Sequence, residues 1–250
     1  MLTPKIVLIT GASRGIGAET AKLFARQGYA VCINYLTDHQ SAKSVQQEAL
    51  KYTDKCILVQ ADVSVGSEVE RLFNIVDQEL GCLTVLVNNV GMLNKQSRLE
   101  EIDEQRFQQV LQVNVMSCFL CSKQAVKRMS TRHGGNGGSI VNVSSGAAKS
   151  GSANEYIDYA ASKGAMDTIT KGLALEVAAE GIRVNAVRPG FIYTDIHQDS
   201  GEADRVNNRL ANIPMQRGGQ PSEVAQAIYW LAEQNASFST GSFIDVAGGL

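Results

Sequence analysis

The sequence predicts an α/β fold: one domain built on a seven-stranded parallel sheet with helices on both faces. Three observations predict it. Short β-rich runs alternate with longer helical patterns from one end to the other. Several of the runs are almost continuously apolar, as in Ile6-Val7-Leu8-Ile9, where a strand covered on both faces has no polar side to show. No linker or internal repeat divides the 250 residues, and α/β cores of that size stand as single domains.

In chain order, a strand at Lys5–Thr10 runs into a glycine turn and a helix at Ile16–Gln27, which Gly28 stops. The β-branched run Ala30–Tyr35 follows, then a helix at His39–Tyr52 and a strand at Cys56–Gln60. A helix at Glu68–Glu79 ends before Gly81, and a strand at Val85–Asn88 leads to one long helical pattern over Asp103–Arg132. The glycine-rich segment His133–Gly138 reads as a surface turn before the strand Ser139–Ser144. A helix at Tyr156–Glu180 stops at Gly181, where a left-handed residue is wanted. The strand Arg183–Arg188, the helix Pro221–Gln234 and the strand Ser242–Val246 complete the chain.

Composition excludes several classes. Hydrophobic residues are 44% and charged residues 19%, which is ordinary globular usage. A net charge of −2, with no basic or acidic tail, argues against a nucleic-acid partner. Met1–Thr10 reads as structure and not as a secretion leader, and no apolar run is long enough to span a bilayer. The five cysteines, odd in number and mostly within apolar segments, suit a reducing compartment, so a cytoplasmic location is expected. Cys118 and Cys121 have redox spacing but lie in a helical pattern without partner ligands, and they are expected to be structural.

The first strand ends in Thr10-Gly11-Ala12-Ser13-Arg14-Gly15-Ile16-Gly17, followed at once by a helix. Glycines there allow a tight turn and a close approach of helix N-terminal N–H groups to a pyrophosphate, as in Rossmann-type dinucleotide sites. Such a pattern arises by chance in roughly one chain in a hundred. An adenosine ribose is usually held by an acidic residue at the end of the second strand, but here that strand ends in Asn34-Tyr35. Arg14 can instead pair with a 2′-phosphate through its planar fork. NADP(H) is therefore favoured over NAD(H), the alternative being that Arg14 is a solvated charge and Asp38 supplies the ribose contact.

Tyr159-x3-Lys163 places a phenol and an ammonium on one helix face. The pair alone arises by chance in about one chain in three, so its context has to carry the inference. A carbonyl reductase must protonate the oxygen as hydride reaches the carbon, and a free tyrosine, with a pKa of ~10, is a poor donor and acceptor near neutrality. A neighbouring Lys163 ammonium is expected to favour the phenolate; reaching ~7 takes about 4 kcal/mol. Ser145, at the end of the fifth strand, can donate to the same substrate oxygen.

These residues, with Asp62-Val63, Asn88-Asn89-Val90-Gly91, Asn114, Pro189-Gly190-Phe191-Ile192-Tyr193-Thr194 and Gly241-x3-Asp245-Val-Ala-Gly-Gly249, make the whole chain resemble a short-chain dehydrogenase/reductase. The resemblance implies Tyr159 as general acid/base, Ser145 as carbonyl-polarising group, Lys163 as ribose ligand and tuner of Tyr159, and Asn114 as holder of a relay water. It implies a cofactor site of Gly11, Ser13, Arg14, Gly15, Ile16, Gly17, Asn34, Tyr35, Asp62, Val63, Asn89, Val90, Gly91, Tyr159, Lys163, Pro189, Gly190, Ile192 and Thr194. It also implies a homotetramer and a substrate lid over about 191–214. Val90 departs from the usual alanine and is expected to reshape the cofactor wall, and Ser144 stands beside Ser145 as an alternative. The polar residues of Gly146–Asp158 and Ile196–Ile213 point to a small polar or sugar-like carbonyl or alcohol substrate, with no membrane partner. Two readings stay open beside it: a 3-oxoacyl thioester reductase, and a nicotinamide-binding sensor without catalysis.

Overall fold

The computed structural model describes residues 5–250; Met1–Pro4, the start of the stretch expected to lack a leader, lies outside them. Seven strands, β1 (Ile6–Ile9), β2 (Ala30–Tyr35), β3 (Cys56–Gln60), β4 (Val85–Asn88), β5 (Gly138–Val143), β6 (Ile182–Pro189) and β7 (Phe243–Val246), form one sheet in the order β3-β2-β1-β4-β5-β6-β7. All pairs are parallel, with Val7 opposite Val31 on one side and Val85 on the other. The strand order reverses between β1 and β4. In such sheets the crevice beyond the carboxyl ends of these strands is the ligand site.

The helices are α1 (Gly15–Arg26), α2 (His39–Ala49), α3 (Gly66–Glu79), α4 (Glu104–Leu111), α5 (Ser117–Met129), the short α6 (Ala147–Ser150), α7 (Ile157–Val177), the short α8 (Ile196–Asp199) and α9 (Arg205–Asn208), and α10 (Pro221–Ala232). Alternation along β1 explains the two cores. Val7 and Ile9 face one layer with Phe24, Ile33, Ile228 and Leu231, from β2, α1 and α10. Ile6 and Leu8 face the other with Leu72, Phe73, Cys121, Met129 and Val177, from α3, α5 and α7. Burial on both sides is why these strands show almost no polar residues.

One expected element differs. The long pattern Asp103–Arg132 is interrupted by a π-helical turn over Gln112–Met116 that separates α4 from α5. Asn114, in the middle of that turn, is completely buried and holds both the N–H and the C=O of Met92 through its carboxamide, at 2.7 and 3.1 Å. The extra residue in the helical register places Asn114 between the loop after β4 and Ser162 of α7, and π-turns concentrate at such places.

Cys118 and Cys121 are buried on α5, and burial pushes the Cys118 thiol up to about 11. Neither is a reactive thiolate at neutral pH. Among the described residues, no helix is long and apolar enough to cross a membrane.

Candidate active site

A cavity of about 1340 Å³ opens at the strand-order reversal, lined along one side by the turn after β1 and along the other by the starts of α6 and α7. Gly11 and Gly15 adopt φ of +60° and +56°, conformations that L side chains avoid. A Cβ on Gly11 would meet Val90 Cγ2 at 3.0 Å, so the β-branched Val90 packs directly against the turn. Gly17 is not part of the cavity wall. A Cβ there would sit 2.7 Å from Gly11 O and 2.9 Å from Ala12 Cα, which makes it the close-packing glycine between turn and sheet.

The N-terminus of α1 has neither a side-chain cap nor an acidic residue in its first turn. Its free N–H groups and the partial positive charge of the helix end therefore suit an anion. Ser13, Arg14, Gly15 and Ile16 line the cavity beside them, and Asn89, Val90, Gly91, Pro189, Gly190, Ile192 and Thr194 line it further along. These residues fit the pyrophosphate and nicotinamide ends of a dinucleotide.

Besides Gly17, four of the expected cofactor residues lie off the cavity wall. Asn34 is buried beneath the turn, its carboxamide accepting from Gly11 N at 3.3 Å and donating to Val59 O and Ala61 O. Tyr35 is buried, with its hydroxyl 2.7 Å from His39 Nδ1. Leu36, Thr37 and Asp38 form the cavity wall there instead. The apolar run of β2 carries the chain one residue further before it emerges, and strand periodicity alone does not mark where a buried strand surfaces. Asp62 is engaged locally, accepting from Ser64 N at 2.9 Å and Ser64 Oγ at 2.7 Å, and Val63 is buried beside it.

Arg14 pairs with Asp199 of α8 and lies close enough to Asp38 to help lower its pKa, although the hydrogen bond from Ser41 does most of that. Asp38 caps α2 through Ser41 N at 2.9 Å.

On the opposite wall, α7 presents Tyr159 and Lys163 one turn apart. Lys163 is 2% exposed, donates to Val143 O at 2.8 Å, and has its Nζ 5.6 Å from the centre of the Tyr159 ring. Its Nζ also lies 3.4 Å from where a Cβ of Gly91 would stand, so glycine there leaves room for the ammonium. Burial pulls Lys163 down to about 8. Tyr159 moves the other way from the expectation: burial raises its phenol above the ordinary range, and the hydrogen bond with Ser145 only partly opposes this. Loss of solvent disfavours the phenolate more than its surroundings favour it.

Ser145, half-buried, reaches Tyr159, while Ser144 is buried with its hydroxyl 3.5 Å from Lys163 O. Both serines line the cavity, Ser145 being the more open of the two. The Asn114 carboxamide accepts from Met92 N and donates to Met92 O and to Ser162 Oγ, the last at 2.9 Å, so its side chain secures the loop after β4.

The far wall of the cavity is formed by Asn94, Glu155, Arg205 and Arg209 together with His197; the sequence reading placed all but Asn94 in the polar loop and lid without singling out Glu155, Arg205 or Arg209. Their residue types are ordinary surface types, and only the folding of the 191–214 segment over α7 brings them together.

Comparison with known proteins agrees with this geometry. Residues 11–250 match the family described as enoyl-(acyl carrier protein) reductase. The chain is 53% identical over 244 residues to the uncharacterized oxidoreductase YgfF of Escherichia coli, covering 98% of this chain and 99% of that one. It is 34% identical to glucose 1-dehydrogenase 2 of Bacillus subtilis, covering 100% and 95% of the two chains. It is 35% identical to the NADPH-dependent aldehyde reductase 1 of Arabidopsis thaliana chloroplasts, covering 99% and 86%. A crystal structure from Burkholderia xenovorans, assigned as a short-chain dehydrogenase/reductase, superposes with a TM-score of 0.88 at 28% identity, covering 100% and 99%. The chain belongs to the short-chain dehydrogenase/reductase family, and it is an NAD(P)-dependent oxidoreductase.

Proposed function

We propose that the protein is an NADP(H)-dependent reductase that interconverts a carbonyl and an alcohol on a small, polar, sugar-like substrate, with Tyr159 as the general acid/base. The observation that carries this reading is the convergence of Ser145, Tyr159 and Lys163 on the cavity that the glycine turn also lines. When bound, the nicotinamide supplies or takes the hydride. Ser145 donates a hydrogen bond to the carbonyl oxygen and polarises it. Tyr159, kept protonated in the free chain by burial, gives its proton to that oxygen. Lys163 holds a positive charge beside the phenol, which stabilises the phenolate left after transfer.

Three features support NADP(H) over NAD(H): Arg14 lines the cavity, no carboxylate ends β2, and Asp38 is engaged as the cap of α2. The name of the Arabidopsis relative points the same way. A 34% identity over 250 residues to a 3-oxoacyl-[acyl-carrier-protein] reductase of Staphylococcus aureus favours a second reading, reduction of a 3-oxoacyl thioester.

Fluorescence titration with NADPH and NADH, followed by assay of a carbonyl panel, tests both parts. Tighter binding of NADPH is expected, lost in Arg14→Ala, and turnover is expected to fall by about 10²–10⁴-fold in Tyr159→Phe. Preference for NADH overturns the role of Arg14, and turnover that survives in Tyr159→Phe overturns the mechanism. Detectable turnover of acetoacetyl thioesters but not of sugars favours the thioester reading.

A further inference from the structure

The cavity that exposes Ser145 and Tyr159 is walled further out by Asn94, Glu155, Tyr156, His197, Arg205 and Arg209. The Glu155 carboxylate takes Arg205 on one oxygen and Arg209 on the other. Arg205, with its side chain only 7% exposed, gives a second N–H to Glu202 at 3.1 Å and lies 4.8 Å from the centre of the Tyr156 ring. Glu202 also accepts from Tyr156 at 2.5 Å and from Gln96 at 2.6 Å. Arg205 and both carboxylates are therefore satisfied within the protein, and the cluster bolts the 191–214 segment to the residues just before α7.

Arg209 is different. It gives one N–H to Glu155 and, among the described residues, has no other hydrogen-bond partner, although a guanidinium carries five N–H groups. Asn94 Nδ2 and His197 Nδ1 are buried with no hydrogen-bond partner. Buried polar atoms are ordinarily satisfied, so these two, beside the partly exposed guanidinium of Arg209 with its spare N–H groups, ask for a ligand rich in oxygen. The two guanidinium groups are balanced by the two carboxylates, which removes any net attraction for an anion. Burial also holds His197 below the ordinary imidazole range, keeping it neutral with one ring nitrogen able to accept. An apolar chain laid on this wall would leave Asn94 Nδ2 and His197 Nδ1 without a partner and would cover the spare N–H groups of Arg209. Hydroxyl groups, which both donate and accept, satisfy them.

Resting on carbonyl reduction at Tyr159, we propose that Arg209, Asn94 and His197 read the hydroxyl groups of a short hydroxyaldehyde or hydroxyketone, and that Glu155 and Arg205 are the positioning pair that fixes Arg209.

Steady-state kinetics test this with glyceraldehyde, with propanal of the same chain length, and with an acetoacetyl thioester, using NADPH and wild type, Arg209→Met, Arg209→Lys and Asn94→Leu. The wild type should prefer glyceraldehyde to propanal by about ten-fold or more in kcat/KM. Arg209→Met should bring that ratio towards one, chiefly through KM for glyceraldehyde, with Arg209→Lys restoring part of it. Asn94→Leu, which leaves the ion cluster intact, should lower the ratio as well. A ratio unchanged in both Arg209→Met and Asn94→Leu, or a wild type that prefers propanal or the thioester, overturns the assignment and leaves Tyr159 as acid/base. Turnover of none of the three compounds while NADPH still binds overturns the assignment and the proposed reduction together.

Discussion

At Lys163 the requirements of the site and of the fold oppose each other. Burial lowers its pKa from the ordinary 10.5 to about 8, so the unfolded chain binds the proton more tightly than the folded one. Below pH 8 the folded state carries a desolvated ammonium at a cost of about 3 kcal/mol, and this cost vanishes as the pH rises from 8 towards 10.5. Stability attributable to this group therefore increases with pH. Denaturant unfolding of wild type and Lys163→Met should show it directly: wild type gains about 3 kcal/mol on the variant between pH 7 and 10.5. The lost hydrogen bond to Val143 O adds a constant offset that does not depend on pH. A difference that stays flat over this range would mean that the Lys163 proton is not perturbed by burial. Methionine would fill the same volume without this cost, which supports the proposed chemical role of the ammonium.

The turn after β1 shows how an element links stability to binding. Asn89 Nδ2 donates to Thr10 O and Gly11 O, each at 3.0 Å, and so stitches the end of β4 to the turn across the strand-order reversal. Gly17→Ala would drive a methyl group to within 2.6 Å of that nitrogen and 2.7 Å of Gly11 O. The backbone oxygen cannot move without opening the turn. Thermal unfolding should report a loss of about 1–3 kcal/mol, and NADPH titration a weaker complex in the same variant. A variant as stable and as tightly binding as wild type would show that the turn tolerates expansion. This element was legible in the sequence because glycine at fixed spacing has a steric reason that no other residue supplies. The order of strands and helices was equally legible, since two-sided burial leaves long apolar runs. The π-helical turn at Gln112–Met116 was not legible, because one added residue barely disturbs a 3.6-residue pattern read over a long window. Asn34 was misplaced for a similar reason. Its side chain is polar like a ligand's, and only the three-dimensional path of β2 shows that it serves the turn from below.

At the scale of the whole molecule, several large apolar side chains stand exposed on the surface. Phe119 on α5 is 50% exposed and Leu175 on α7, the helix that carries Tyr159 and Lys163, is 72% exposed. Phe238, after α10, is fully exposed, and Trp230 and Leu250 lie open as well. Single exposed apolar residues need no explanation, but large ones gathered on neighbouring helices mark surfaces that pair. We propose that α5 and α7 pack against their own copies across one two-fold axis, and that a second set of residues near the C-terminus forms a second axis. Two such axes give the homotetramer that family resemblance implies. A tetramer of this kind couples assembly to catalysis, because α7 would be held at its outer face by a partner and at its inner face by the sheet, which fixes Tyr159 and Lys163 between them. Sedimentation velocity at micromolar concentration should accordingly find four chains per particle. Phe119→Glu combined with Leu175→Glu should split the particle and lower turnover with it, since an unsupported α7 is free to shift against the cavity. A wild-type protein that sediments as a monomer would refute the assembly. A variant that dissociates while keeping full turnover would show that each chain completes its own site.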